Sequence, residues 1–273
     1  MKRIHKSLMA YYLIKFLHLS DLIRRLYRLA MDVKFEKISQ AQLLEIMDLI
    51  RANKKEKYPL VRLGSINDGG YVVVDDISRQ DVLISLGIGN NSDFEYQISS
   101  KIQRIIAFDH TINEMPVTAD NIQFNKLGVK AKSAGRFTTL SSVIESIPVQ
   151  NDLLLKIDIE GWEWEVLNSI SDAEISRFRQ IIGEFHDFHD ATKTETINQV
   201  LSKIVRYFDV INTHANNWGQ YDIIKRLAIP DVIEITFMRK DRSKQDIYNS
   251  LGQSQKLNSK NNWSDLDLGF NLL

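Results

Sequence analysis

Cysteine is absent from the 273-residue sequence. Without thiols the chain cannot form disulfides, thiolate metal sites or a cysteine nucleophile. The lack of cysteine does not decide the compartment, but it is compatible with the reducing cytosol, and we expect a cytoplasmic protein. An excess of either charge is also absent, because 35 basic residues balance 35 acidic ones. The composition therefore gives no indication of nucleic acid as a partner.

A long uninterrupted apolar run is missing as well. Residues 1–30 are rich in apolar side chains, but charged residues such as Lys15, Asp21 and Arg24 interrupt them. No segment reaches the roughly 20 apolar residues that cross a bilayer, and no small-residue cleavage site marks a signal peptide. The spacing predicts one or two amphipathic helices with a basic face. These fit either a structural cap or homo-oligomer contact, or peripheral attachment to a membrane surface.

The residues that are present divide the chain into three parts. Hydrophobic residues make up 44% of the sequence, which is enough for a substantial core. We expect an N-terminal helical extension over residues 1–57, a central domain over residues 58–240 and a polar C-terminal tail over residues 241–273. Ser39 is the expected N-cap of a helix over residues 39–52.

The central domain begins with two short apolar segments around a glycine turn. Between residues 58 and 76, the turn Asn67-Asp-Gly-Gly70 separates them, and a β-hairpin is the simpler interpretation. The functional interpretation is that Gly69 and Gly70 let the backbone approach a ligand while Arg62 and Asp68 supply charge.

A second glycine turn follows an apolar strand and precedes a helix. Gly87 and Gly89 form a Gly-x-Gly turn after the strand that starts at residue 81, and a helix is predicted from Ser92 or Asp93. This arrangement is typical of a nucleotide-type site. The next strand ends at Asp109, 22 positions after Gly87, where an acid accepts hydrogen bonds from ribose hydroxyls. Since Ser92 replaces the third glycine of the dinucleotide fingerprint, the pattern favours a nucleoside ligand over NAD.

The stretch from residue 151 to residue 167 is the predicted centre of the chain. Leu153–Ile159 is aliphatic except for Lys156 and Asp158, as expected of a parallel strand that is covered on both faces. Gly161 ends the strand and a helix follows. Ligands bind outside the carboxyl ends of such strands, so Asp158 and Glu160 fall at the predicted site.

Two further strands place more polar groups at the same edge. An apolar strand over residues 180–186 ends in Glu184 and His186, and alternation puts both on one face. Strands are also predicted over residues 204–212 and 232–238, with a polar loop between them that contains His214. The residues that could act as acid or base catalysts are therefore Asp158, Glu160, Glu184, His186 and His214.

A divalent ion is a second use for part of this set. Asp158, Glu184 and His186 could hold an ion, magnesium among the candidates, that orients an oxygen acceptor. The alternatives are hydrogen-bonded acid or base roles, or plain solvation of polar groups at strand ends.

Three segments, residues 85–94, 107–111 and 155–164, resemble the FkbM-type family of class I S-adenosylmethionine-dependent methyltransferases. The likeness covers roughly residues 58–240. It implies an α/β, Rossmann-like fold with a mostly parallel seven-stranded sheet and helices on both faces. It also implies S-adenosylmethionine as the cofactor and a hydroxyl of a saccharide or related small metabolite as the acceptor, as in polysaccharide biosynthesis.

The resemblance assigns roles along the strand ends. Gly87 and Gly89 face the methionine part of the cofactor, Asp109 the ribose, the Gly128 region the adenine, and Asp158 the sulfonium. The full set of implied cofactor-binding residues is Asp68, Gly69, Gly87, Ile88, Gly89, Asn91, Asp93, Phe94, Asp109, His110, Gly128 and Asp158. Many relatives have proline after the ribose acid, where this chain has His110, so the backbone is less restrained there.

Two other functions compete with this one. A non-catalytic Rossmann-like module could bind a membrane or a partner through the N-terminal helices. An NAD-dependent oxidoreductase is disfavoured by Ser92.

Overall fold

The computed structural model describes residues 38–52, 59–218, 221–224, 227–242 and 257–261, without the side chains of residues 222–228 and 242. The chain divides into two units at Lys37, and the sheet and its helices belong to the second. The helices predicted over residues 1–30, the basic segment 54–57 and most of the predicted tail lie outside the described residues.

A seven-stranded sheet forms the centre of the domain. Its strand order is β10-β13-β9-β8-β3-β4-β5; β13 is antiparallel to both of its neighbours, and the contiguous set β9-β8-β3-β4-β5 is parallel. The predicted mostly parallel seven-stranded α/β fold is therefore confirmed. The strands are β1 (Leu60–Gly64), β2 (Gly70–Val74), β3 (Val82–Leu86), β4 (Arg104–Phe108), β5 (Ile122–Asn125), β6 (Gly128–Val129), β7 (Phe137–Thr138), β8 (Leu153–Ile157), β9 (Phe178–Phe185), β10 (Phe208–Ala215), β11 (Tyr221–Ile224), β12 (Leu227–Pro230) and β13 (Ile233–Arg239).

The aliphatic runs explain why the central strands are buried on both faces. Every residue of β3, β8 and β9 is buried, because helices cover the sheet on each side. The longest helix, α6, turns Ile197, Val200, Leu201 and Ile204 into the core, which is the spacing of one helical face. The helices are α1 (Gln40–Leu49), α2 (Asp93–Ser99), α3 (Leu140–Glu145), α4 (Glu163–Ser169), α5 (Asp172–Ile175) and α6 (Thr194–Tyr207), followed by a 3-10 turn at Lys240–Arg242.

The two elements predicted before the sheet are present. Ser39 caps α1 through a capping box with Gln42, and β1 pairs with β2 as an antiparallel hairpin. The hairpin reaches the site, because Gly69 lies against the side chain of Asn91 and a Cβ on Gly69 would come within 2.9 Å of Asn91 Nδ2. The hairpin interpretation is therefore confirmed, and the approach of a ligand to the glycines stays a prediction.

Two predictions near the end of the sheet are wrong. The strand expected over residues 204–212 starts only at Phe208, because Ile204 belongs to the buried face of α6. The segment expected to be a loop contains the hairpin of β11 and β12. Among the described residues, no helix has both the length and the apolar character needed to cross a membrane.

Candidate active site

The sheet order brings the ends of β3 and β8 side by side, and Gly87 makes this approach possible. Gly87 has a φ of +78°, and a Cβ at this position would lie 1.7 Å from the carbonyl oxygen of Asp158. Only glycine fits both restrictions. From β3 the chain continues to β4 and β5 on one side of the sheet, and from β8 it continues to β9 on the other side. Ligands of open α/β sheets bind where the strand order changes direction in this way.

Asp109 closes the glycine turn from the end of β4. Its Oδ2 accepts hydrogen bonds from the backbone amides of Ile88 (2.9 Å) and Gly89 (2.8 Å). Its Oδ1 accepts hydrogen bonds from the amide (2.7 Å) and the hydroxyl (2.6 Å) of Thr111. Burial alone would raise the pKa of Asp109, but these four donors lower it to about 2. The predicted ribose acid thus holds its own loop in place.

The remaining residues of the predicted cofactor set surround this turn. Asn91 donates to the carbonyl of Asp68 (3.1 Å) and accepts from the amide of Asp93 (2.9 Å), so it joins the hairpin to the start of α2. Phe94, another member of the predicted cofactor set, belongs to the hydrophobic core. It is 1% exposed and packs edge-on against Tyr71, with the ring centroids 5.5 Å apart.

An aromatic group lines the region expected to approach adenine. A Cβ on Gly128 would meet the Phe137 ring at 2.5 Å and His110 Nδ1 at 3.0 Å, so the glycine allows these two rings to approach. The ammonium of Lys130 lies 4.1 Å from the centroid of Phe137 and 3.8 Å from that of Trp162. These are cation–π distances.

Asp158 is held through one of its two oxygens. Its Oδ2 accepts a hydrogen bond from Tyr71 Oη at 2.8 Å and lies 3.9 Å from Lys156 Nζ. The ammonium of Lys156 also donates to the carbonyl of Gly87. Within the described part of the chain, Oδ1 has no hydrogen-bond partner, and the side chain is 26% exposed. One oxygen is therefore fixed and the other is available to a ligand.

His186 lies between three carboxylates. Its Nδ1 is 3.2 Å from Glu163, and its Nε2 is 3.2 Å from Glu184 and 3.7 Å from Glu160. Burial lowers the pKa of this imidazole, but the hydrogen bonds and charges of Glu163 and Glu184 raise it to about 11. His186 is therefore protonated at neutral pH in this arrangement, and it donates hydrogen bonds to Glu163 and Glu184. Glu160, at a φ of +56°, is the exposed member of the set.

His214 belongs to a second group of polar side chains. Its Nδ1 lies 3.0 Å from Glu234 Oε2, across the pair β10 and β13. Asn216, just after β10, connects this side to the first group by donating to Glu184 Oε2 at 2.6 Å. The structure thus places His214 beside Glu234 and brings Asp158, Glu184 and His186 together.

The three residues predicted as metal candidates have ligand atoms that all lie within 4.8 Å of one another. Each also has a neighbour that orients it: Tyr71 for Asp158, Asn216 for Glu184 and Glu163 for His186. Such neighbours are typical of metal ligands and equally of acid and base groups. Desolvation, followed by the charge of Asp158, raises the pKa of Glu184.

Sequence reasoning did not identify several polar residues that complete this site. Lys156 gave a signal, because it is the basic residue of an aliphatic strand. Tyr71 and Glu234 lie in apolar strands whose pairing is visible only in the fold. The full set that was missed is Tyr71, Lys156, Glu163, Glu234 and Asn261.

Comparison with known families gives a match that includes this part of the chain. Residues 77–210 match the profile described as methyltransferase FkbM domain. The match contains the glycine turn, Asp109, Asp158, Glu184 and His186. A search of curated proteins found no significant match.

Solved structures resemble the chain only distantly. A protein from Streptococcus mutans in complex with SAH is 12% identical, with a TM-score of 0.35 over 60% of this chain and 88% of that one. Precorrin 8W decarboxylase from Methanobacterium thermoautotrophicum is 16% identical, with a TM-score of 0.37 over 60% and 83%. An rRNA methylase from Streptococcus thermophilus is 9% identical, with a TM-score of 0.37 over 60% and 89%. Because these TM-scores lie well below 0.5, the structures do not support any assignment. The similarity to methyltransferases rests on the family match and on the strand order of the sheet.

Proposed function

Because residues 77–210 form an FkbM domain of the S-adenosylmethionine-dependent methyltransferases, we propose that the protein methylates a hydroxyl oxygen of a saccharide or related small metabolite. The observation that carries the proposal is the position of the Asp158 carboxylate and the contacts of its two oxygens. One of its oxygens is held by Tyr71 and Lys156, and the residue directly follows β8, at the carboxyl end of the strands where ligands of this fold bind.

The residues of the site supply what transfer to a hydroxyl needs. S-adenosylmethionine carries a methyl group that is already activated, so the protein must position the acceptor oxygen and remove its proton. Asp158 takes that proton as the oxygen–carbon bond forms and the sulfur–carbon bond breaks. His186 is protonated in this arrangement, so it acts as a hydrogen-bond donor that holds Glu184.

A divalent ion is the alternative way to orient the oxygen. Asp158, Glu184 and His186 offer two carboxylates and an imidazole within 4.8 Å, a donor set that fits magnesium through its oxygens and, once His186 has lost its proton, transition metals through its nitrogen. The ion would lower the pKa of the acceptor hydroxyl. Either arrangement uses the same three side chains.

Transfer of a radiolabelled methyl group tests the proposal. Purified protein is incubated with labelled S-adenosylmethionine and a panel of neutral saccharides, and the product is analysed for methyl ethers. We expect labelled ethers from the parent and at least a hundredfold slower transfer from Asp158→Asn, a size typical of a lost general base. The matched control is Asp75→Asn, whose exposed carboxylate pairs with Lys101 at 2.7 Å, and it should keep the parent rate.

Chelation separates the two arrangements. If Asp158 is the base, transfer survives EDTA; if an ion orients the oxygen, EDTA stops transfer and magnesium or manganese restores it. Methylation of nitrogen acceptors alone, or an Asp158→Asn variant as fast as the parent, would contradict the proposal.

The competing function is a non-catalytic binding module, and one observation favours it. The four hydrogen bonds that Asp109 accepts are all made within the chain, so this acid has a structural use without any cofactor. An Asp109→Ala variant that loses S-adenosylmethionine binding supports the enzyme. Unchanged biological activity of the same variant supports the module.

A further inference from the structure

The segment Leu257–Asn261, here called the C-terminal segment, lies against the methyltransferase domain. The carbonyl of Leu257 accepts a hydrogen bond from Arg62 of β1 at 3.4 Å. The side-chain amides of Asn258 and Asn212 exchange hydrogen bonds at 3.1 and 3.3 Å. A part of the chain expected from composition to be a polar tail therefore contacts both the hairpin and β10.

Asn261 is the member of this segment that enters the site. It is 3% exposed, and its Nδ2 donates to Glu234 Oε1 at 2.6 Å and to Asp68 Oδ1 at 3.4 Å. The amide nitrogen has two hydrogens, so both are used. Two carboxylates that would otherwise repel each other are thereby joined.

The bridge extends on both sides. Glu234 also binds His214 Nδ1 through its other oxygen, so Asn261, Glu234 and His214 form one chain of hydrogen bonds. On the opposite side, Asp68 lies in the hairpin turn and receives Asn91 at its backbone carbonyl. Asn261 thus links the turn between β1 and β2, which contacts Asn91 after the Gly87–Gly89 turn, to β13 and β10.

We propose that Asn261 is a positioning residue of the methyltransferase site. Its amide holds Asp68 and Glu234 together, and it thereby fixes the turn between β1 and β2 to β13, where Glu234 binds His214 of β10. The inference rests on the proposed function. It adds Asn261 to the site, although this residue lies outside residues 77–210, which match the family profile.

Substitution of Asn261 by aspartate tests the bridge. Asn261→Asp keeps the shape but replaces the donor with an acceptor that faces Asp68 and Glu234. Arg62 and His214 are the basic groups near Glu234, and Asp158 is the further carboxylate near Asp68. Loss of a hydrogen bond to a charged group predicts at least about tenfold weaker S-adenosylmethionine binding at about pH 8 by calorimetry. Because adjacent carboxylates share a proton as the pH falls, the ratio of the variant Kd to the parent Kd should approach one near about pH 5.5.

Asn258→Asp is the matched control, since it alters the same segment at its contact with Asn212 and touches neither carboxylate. It should bind within about twofold of the parent at both pH values. Asn261→Ala provides a second variant if Asn261→Asp does not fold, and its defect should be relieved less by low pH, because only two carboxylates remain and no third oxygen lies between them. Equal defects at positions 258 and 261, or a pH-independent defect in Asn261→Asp, would overturn the positioning role. A folded parent that does not bind S-adenosylmethionine would instead overturn the proposed function, and the inference with it.

Discussion

Several charged side chains of the candidate site are buried, and each is stabilised by contacts with named neighbours. Lys156 is 5% exposed, yet its ammonium has a carbonyl, Gly87, and a carboxylate, Asp158, as neighbours. His186 and Glu184 satisfy each other in the same way. Buried charges persist when they are paired and hydrogen-bonded, so each charge in this site depends on a named neighbour.

The low pKa of Asp109 predicts a dependence of stability on acid pH. The folded pKa is about 2 against 3.8 for the free group. The contribution to stability is therefore present above pH 3.8 and is lost as the pH falls through about 2. It should be about 1 kcal/mol smaller at pH 3 than at pH 5. Urea unfolding at both pH values should show this loss in the parent, and Asp109→Asn should lose about 1 kcal/mol less over the same interval. Equal losses in the two proteins would contradict the assignment.

Tyr71 is predicted to position Asp158. Tyr71→Phe keeps the ring that packs against Phe94 but removes the hydroxyl that donates to Asp158 at 2.8 Å. Loss of a hydrogen bond to a charged group, about 1.5 kcal/mol, should slow methyl transfer about tenfold. Initial rates at saturating S-adenosylmethionine measure the effect.

Tyr207→Phe is the control for Tyr71→Phe. It removes a similar hydrogen bond, 2.9 Å long, from Tyr207 to Asp172 between two helices. We expect its rate to equal that of the parent. A similar decrease in both variants would mean that the effect of Tyr71→Phe reflects general loosening of the structure.

At the scale of elements, the glycine turn after β3 allows a comparison of two neighbouring glycines. A Cβ on Gly87 would lie 1.7 Å from the backbone of Asp158, whereas a Cβ on Gly89 would meet nothing within 4 Å. Gly89 has a φ of +59°, so Gly89→Ala should cost about 1 kcal/mol of unfolding free energy through backbone strain. Gly87→Ala must also separate β3 from β8 and should cost more than about 3 kcal/mol. Denaturant unfolding compares the two variants, and equal costs would contradict the close approach.

Hydrophobic patterns within single strands and helices predicted much of the sheet. They could not predict contacts between elements that are far apart in the sequence. Aliphatic runs predicted β3, β8 and β9, and alternation placed Glu184 and His186 on one face. The start of β10 was predicted too early, because β-branched residues such as Ile204 suit strands and buried helix faces alike. Glu234 and Asn261 could not be joined from the sequence, since 27 positions separate them and no local pattern indicates the pairing.

In the molecule as a whole, the two ends of the parallel strands, here called the carboxyl edge and the amino edge of the sheet, carry different groups. The carboxyl edge holds the candidate site. The amino edge holds Arg179 of β9, which pairs with the buried Asp81 and lies 4.0 Å from both Asp76 and Asp152. The separation predicts that stability and ligand binding can be altered independently.

Arg179→Gln is predicted to reduce stability without affecting cofactor affinity. It leaves the carboxylate of Asp81, which is 2% exposed, without its partner, and such a change costs about 3 to 5 kcal/mol. Arg206→Gln breaks an exposed pair with Asp172 and should cost less than about 1 kcal/mol. Unfolding free energies measure both costs. Weaker S-adenosylmethionine binding by folded Arg179→Gln protein would contradict the independence of the two edges.

A site for S-adenosylmethionine where β3 and β8 end requires that the protein bind this ligand, and calorimetric titration of the purified protein with S-adenosylmethionine and, in parallel, with NAD measures that binding. We expect S-adenosylmethionine to bind with a micromolar Kd, about 8 kcal/mol of binding free energy, and NAD not to bind, since Ser92 replaces the third glycine of the dinucleotide fingerprint. Binding of NAD alone, or of neither ligand to folded protein, would contradict the account.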